Sequence, residues 1–220
     1  MVFEIIGGYY SMYEHRYKYG KQKNIMSIEE FKEKLESSNL CLEKEAYVVL
    51  LWHTGVRKSE AYERVKKDVT ITDAHVIVDF HQRKKGGLEV PALKIPRKFY
   101  GVEEYLIRYL KKPKRVKSKT VYGYKRVKGK LEIYPEVQER RWLFPNISST
   151  TAWRIVRKVL GEKYYPHYLR LNKLSKIGKN REKGSIMHLR AVSGIKSLRA
   201  LEAYMGIDEE AQDEAMEISE

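Results

Sequence analysis

The apolar and polar positions divide the chain into a series of mostly helical segments. Ser27-Ile-Glu-Glu30 pairs a capping hydroxyl with a glutamate three positions on, which starts a helix expected to run to about Ser38. A second helix is predicted from about Glu43 to Thr54. Its Tyr47-Val-Val-Leu-Leu-Trp52 run is apolar almost all round, the mark of a central buried helix. Gly55 stands where a left-handed residue would end it. A short helix over 58–65 follows. The β-branched positions Val69, Ile71, Val76, Ile77 and Val78 predict strands between Val69 and Phe80. A turn over 82–87 and a returning strand over 88–95 come next, then a helix over 102–110. Residues 111–130, rich in Lys and Arg with Gly123 and Gly129, read as a surface loop or ribbon. Trp142-Leu-Phe-Pro145 marks a return to the core, and Ser148 caps a helix running to about Leu160. Further helices are expected over 166–177, 185–192, 197–205 and 208–218. The fold class is α+β, mainly α, with a small antiparallel sheet.

Charge changes this picture. The 220 residues suffice for one full core, or for one domain with an appended arm. Lys and Arg number 44 against 29 acids, a net charge of +15. The seven acids after Tyr204 have no basic partner there, so residues 1–204 carry +22. Such a body favours a polyanion, most often nucleic acid, through phosphate neutralisation and counterion release. Near the start, Tyr9-Tyr-Ser-Met-Tyr13-Glu-His-Arg-Tyr17-Lys-Tyr19 interleaves aromatics with bases. Such a segment suits stacking on nucleic acid, and equally a helix docked on the body by its Tyr face. Cys41, the single cysteine, excludes an intrachain disulfide and a Cys-based metal site and suits a reducing compartment. The opening residues are too short and too acidic for a signal peptide, and no apolar run has membrane-spanning length; the cytoplasm is expected.

Metal-free cleavage of a phosphodiester needs a nucleophile held in line, cations on two nonbridging oxygens, and a proton for the leaving 5′ oxygen. Arginine suits the second task, because its planar fork binds phosphate bidentately and stays charged. Arg57, just past Gly55, sits at a rigid backbone position, although Glu60 is also in reach across one helical turn. The turn Gln82-Arg83-Lys84-Lys85-Gly-Gly supplies flexible ammonium groups suited to protonating a leaving oxygen. In Pro166-His167-Tyr-Leu-Arg170, a spacing of three places His167 and Arg170 on one helical side. Tyr204 is the last of seventeen tyrosines, and none stands between it and Tyr168.

Arg, Lys, His-x-x-Arg and a late Tyr, in that order, resemble the tyrosine recombinase (phage integrase) family. Leu50-Leu-Trp-His-Thr-Gly-Val-Arg57-Lys-Ser-Glu60 is very similar to that family's first Arg motif. Glu89-Val-Pro91 is similar to the strand ending that follows the family's catalytic Lys; Lys84 fits the spacing best, with Lys85 next and Arg83 an outsider. Tyr168-Leu-Arg170 keeps the Leu and Arg of the family's His-x-Leu-Arg box, with Leu171 where His often follows. The 34 residues from Arg170 to Tyr204 match the family's spacing. One element departs. The second His, or Trp, expected shortly before the nucleophile is absent: Ile195 stands there in Val192-Ser-Gly-Ile-Lys196, and Lys196 is the substitute donor, with His188 further upstream.

The resemblance covers roughly 27–206 and resembles a divergent member of the archaeal or viral kind. It implies catalytic Arg57, Lys84, His167, Arg170, Lys196 and Tyr204, a 3′-phosphotyrosyl intermediate, and a free 5′-hydroxyl. Bond energy is retained, so it implies no cofactor: neither ATP nor metal. It implies double-stranded DNA as partner, and tetramers on paired sites that often exchange a C-terminal segment. The expected organisation is a basic aromatic arm or linker over 1–26, a catalytic domain over 27–206, and an acidic tail over 207–220 that either docks on a neighbour or frays in solvent. Family members usually carry a separate helical domain first. Here the expectation is either a catalytic fragment or an arm that substitutes for it. A type IB topoisomerase-like enzyme and a non-catalytic DNA-binding protein are the alternative classes.

Overall fold

The computed structural model describes residues 25–80, 92–127, 130–179, 186–195, 201 and 204. Helix α1 (Ile28–Ser37) begins as its sequence dictates, with the Ser27 hydroxyl accepting from the Glu30 amide at 3.0 Å. It buries Phe31 and Leu35, one turn apart, and Phe31 stacks on Trp52 with ring centroids 4.0 Å apart. Helix α2 (Leu42–Thr54) is the centre of the core, with every residue from Ala46 to Leu51 fully buried. Its end is fixed twice: the Thr54 hydroxyl donates to Leu50 O at 2.6 Å, and Gly55 turns left-handed at φ 63°.

A side chain at Gly55 would be both strained and crowded. A β-carbon there would lie 3.0 Å from Lys173 Cβ and 3.1 Å from its Cγ, tighter than ordinary contact. Left-handed strain in a non-glycine residue costs about 1–2 kcal/mol before any clash. Gly55→Ala is therefore expected to lower stability by roughly 2–3 kcal/mol, read as a lower urea midpoint at unchanged slope. An unchanged midpoint would show that the segment after α2 yields freely.

Helix α3 (Lys58–Tyr62) is shorter than predicted, because Val65 instead forms an antiparallel bridge with Trp142. A 3₁₀ turn (Lys66–Asp68) leads into β1 (Val69–Ile71), which pairs antiparallel with β2 (His75–Val78). β3 (Leu93–Pro96) pairs with the other edge of β2. The predicted turn over 82–87, and with it Lys84 and Lys85, lies outside the described residues. The predicted helix over 102–110 is helical but opens as a π-helix (Val102–Ile107) before α4 (Arg108–Leu110). It packs Val102, Leu106 and Ile107 against α2.

The basic stretch forms a ribbon rather than a loop. β4 (Lys117–Val127) and β5 (Lys130–Arg140) pair in one antiparallel register, from Lys117 opposite Arg140 to Val127 opposite Lys130. The base of the ribbon is pinned to the core. Lys119 Nζ donates to the carbonyls of Tyr62, Phe144 and Ile147 at 3.1–3.3 Å and lies 4.9 Å from the Trp142 ring. Trp142 Nε1 donates to Lys117 O at 3.0 Å. Three carbonyls favour the ammonium, yet burial outweighs them and lowers the Lys119 pKa from 10.5 to about 8. The folded state thus carries a disfavoured charge below about pH 8 that the unfolded chain hydrates freely. Between about pH 8 and 10.5 the unfolded chain binds more protons, so stability rises with pH across that window. Discounted for partial exposure, the rise is on the order of 1–2 kcal/mol. It is expected to disappear from urea titrations of Lys119→Met; an identical profile in the variant would refute it.

After Trp142, Leu143 and Phe144 re-enter the core, α5 (Ser149–Leu160) starts from a Ser148 cap accepting from Thr151 N at 3.2 Å. α6 (Pro166–Gly178) begins with proline in its first turn, where a missing N–H is harmless, and packs along α2. α7 (Ile186–Ser193) packs on α6 around Leu174, Leu189 and Leu201. Leu201 and Tyr204 are helical, within the helix predicted over 197–205; the helix predicted over 208–218 lies outside the described residues.

Candidate active site

Three elements converge behind Gly55: the end of α2, the middle of α6 and the end of α7. Arg170 joins them. It projects from α6 and is only 2% exposed, with Nη1 donating to Gly55 O at 2.9 Å and Nη2 to Ser193 O at 2.8 Å. Both acceptors are backbone oxygens freed where helices end, so one guanidinium ties two helix termini together. The Tyr204 phenol lies near enough to the same guanidinium to favour its charged form. Burial, and then the nearby charge of Arg57, disfavour the charged form of Arg170, while Tyr204 and Glu60 offset part of this. A guanidinium stays protonated under such opposition, so the site stores concentrated positive charge.

Arg57 caps the N-terminus of α3 with its side chain 58% exposed. Glu60 holds it twice: the Arg57 amide donates to Oε2 at 2.6 Å, and Nη1 donates to Oε1 at 2.8 Å. The structure therefore brings Arg57, Arg170 and Tyr204 into one cluster, with Glu60 as the accompanying acid. Tyr204 is half-buried, packed against the Leu174–Leu189–Leu201 cluster.

His167 does not share the depth of Arg170. It lies in the first turn of α6, exposed, with its ring stacked on Tyr165 at a centroid distance of 6.4 Å. A spacing of three puts both residues on one side of the helix, but Arg170 lies one turn deeper, where the helix enters the core. Lys84 and Lys196 lie outside the described residues; Gly194 and Ile195, just before Lys196, follow α7 directly.

Two nearby residues were not singled out from sequence. Lys173 follows Arg170 by one turn and packs its Cβ against Gly55; burial, then the like charge of Lys176, lower its pKa. The spacing of three from Arg170 was its only signal. His53 precedes Gly55 by two residues, and burial lowers its pKa to about 4, which keeps it neutral. Its Nε2 lies 2.9 Å from Tyr100 O, and since a carbonyl only accepts, that nitrogen carries the proton. Both residues line a cavity of about 140 Å³ with Thr54, Ile95 and Val192. Among the described residues, no cluster of His, Cys, Asp or Glu has the arrangement to hold a metal ion, and no helix is long and apolar enough to cross a membrane.

This helical body with a small antiparallel sheet is the fold of the tyrosine recombinase catalytic domain. The XerH site-specific recombinase bound to difH substrate superposes with a TM-score of 0.62 at 18% identity, over 89% of this chain and 54% of that one. The Tn1549 transposon integrase in complex with circular intermediate DNA gives 0.57 at 18% identity, over 89% of this chain and 65% of the other. The XerA recombinase gives 0.56 at 18% identity, over 89% and 62%. The chain thus spans roughly half to two thirds of the length of these structures. No protein-family model matches the sequence, and no curated protein does.

Proposed function

We propose that the chain is the catalytic domain of a site-specific DNA recombinase or integrase that cleaves and rejoins duplex DNA through Tyr204. The observation that carries this reading is the meeting of two arginines and one phenol in a body of high positive charge. Arg57 and Arg170 hold the two nonbridging oxygens of the scissile phosphate, where negative charge develops. The Tyr204 oxygen attacks phosphorus, the bond to the 5′ oxygen breaks, and a 3′-phosphotyrosyl bond forms. Lys84 gives its proton to the leaving 5′ oxygen. His167 accepts the phenol proton or orients the phosphate, and Lys196 stands in for the absent second His or Trp. The phosphotyrosyl bond keeps the energy of the broken one, so rejoining draws on no ATP.

In the DNA-free arrangement the cations are already engaged, Arg57 with Glu60 and Arg170 with the carbonyls of Gly55 and Ser193. A phosphate entering the cluster replaces the Glu60 carboxylate at Arg57. It also meets the Arg170 guanidinium near the phenol, which places the nucleophile beside the atom it attacks. The likeness in fold to recombinases solved on DNA favours this reading over a DNA-relaxing enzyme of the topoisomerase kind. Assembly as a tetramer on paired sites, with 1–26 as an arm and 207–220 as an exchanged tail, belongs to the same proposal.

Covalent trapping tests it. The protein is incubated with nicked suicide duplexes drawn from its source genome and run on a denaturing gel. A slow protein–DNA adduct is expected; good DNA binding with no adduct would leave only a binding protein on this fold. Recombinant joints, rather than relaxation of any plasmid, separate the recombinase from the topoisomerase reading.

A further inference from the structure

The β4–β5 ribbon has no role in the chemistry above. Among the described residues its two strands pair only with each other, and eleven residues per strand give a reach of about 36 Å. Its 24 residues hold seven Lys or Arg against three Glu. The far end is the most basic part: Lys125, Arg126 and Lys130 lie within three pairing positions of the turn. The near end is rigid, through Lys119 on three core carbonyls and Lys117 Nζ on Asn146 Oδ1 at 2.6 Å. One of those carbonyls belongs to Tyr62, the last residue of α3, whose first residue follows Arg57. Tyr62 stands one five-residue helix, about 7.5 Å, from Arg57 of the candidate phosphate clamp, and the Lys119 side chain ties the ribbon to it.

We infer that this ribbon is a second duplex-DNA contact, which follows the backbone and groove for about one helical turn away from the scissile phosphate. It rests on the reading of Arg57 and Arg170 as the phosphate clamp. Three features favour duplex DNA as the occupant. The charge is complementary to phosphate. A two-stranded ribbon has the width of the major groove. Its reach matches the 34 Å or so of one turn. Ile133 and Val137, four pairing positions apart and on one face of β5, are 60% and 69% exposed, with Pro135 exposed between them. On DNA such a stripe meets sugar rings and thymine methyl groups, which are apolar.

Two variants test this on fluorescent duplexes of arbitrary sequence and graded length. In the first, Asn-Gly replaces residues 121–136. Thr120 and Val137 are directly paired, so a two-residue turn closes the shortened hairpin and keeps the Lys117 and Lys119 anchors. In the second, Lys125→Gln, Arg126→Gln and Lys130→Gln are combined. The shortened protein is expected to occlude about ten fewer base pairs. The triple variant is expected to show a log K against log salt slope shallower by roughly two to three. Unchanged site size and slope in both would overturn the inference. So would loss of self-association without change in DNA binding, since the ribbon would then meet a second copy of the chain. If the shortened hairpin fails to fold, the triple variant decides alone. An adduct in the trapping assay with no ribbon effect on DNA sinks this inference only; no DNA binding by the full chain sinks both readings.

Discussion

Arg170→Ala is expected to abolish phosphotyrosyl formation and also to cost about 3–5 kcal/mol of folding stability. The double effect follows from its position. The side chain is 2% exposed and bridges Gly55 O and Ser193 O, two carbonyls with no other donor among the described residues. Truncation leaves both buried and unpaired, at roughly 1–3 kcal/mol each, and opens a cavity between α2, α6 and α7. Arg170→Lys separates the two effects. One ammonium has a single nitrogen and cannot span both carbonyls while also meeting phosphate. The lysine variant is expected to recover part of the urea midpoint and still to lose adduct formation by about 10²–10³-fold in single-turnover assays. Near-wild-type cleavage by Arg170→Lys would reduce the arginine to an architectural tie and remove it from the proposed clamp.

The distinction bears on how the site was legible beforehand. Segments with strong local signals are where the sequence places them. Ser27 and Ser148 cap helices, Gly55 turns left-handed, and the apolar run in α2 is buried throughout. In each case the determining physics lies within one turn of chain. The ordered series from Arg57 to Tyr204 was likewise visible, because residue type and spacing carry it. What sequence did not show is tertiary. Val65 leaves its helix to bridge Trp142, and the strand that continues the basic stretch reaches Arg140, beyond the 111–130 segment marked as loop or ribbon. The acceptors of Arg170 are main-chain oxygens, which every residue has, so no pattern of side chains announces them. Helical spacing placed His167 beside Arg170, but not the difference in depth between an exposed first turn and a buried second one. Glu60 was visible as a partner of Arg57, and the structure makes it one. That pairing and a role on phosphate are compatible, since a carboxylate is the nearest protein equivalent of the oxyanion that would displace it.

Tyr204→Phe is the change expected to remove the most activity with the least structural cost. Phenylalanine keeps the ring that packs on Leu174, Leu189 and Leu201 and deletes only the hydroxyl. The loss to folding is at most the polar interaction of the phenol with the nearby Arg170, about 0.5–1.5 kcal/mol. The loss to chemistry is complete, because no phosphotyrosyl bond forms without the phenol oxygen. Wild-type and variant proteins are therefore expected to bind duplex DNA within a few-fold of each other, while only the wild type yields an adduct on suicide substrates. An adduct of equal yield in both would move the nucleophile to another residue. Tyr168, the preceding tyrosine, is 4% exposed and packs against Tyr164 in the core, poorly placed to meet DNA.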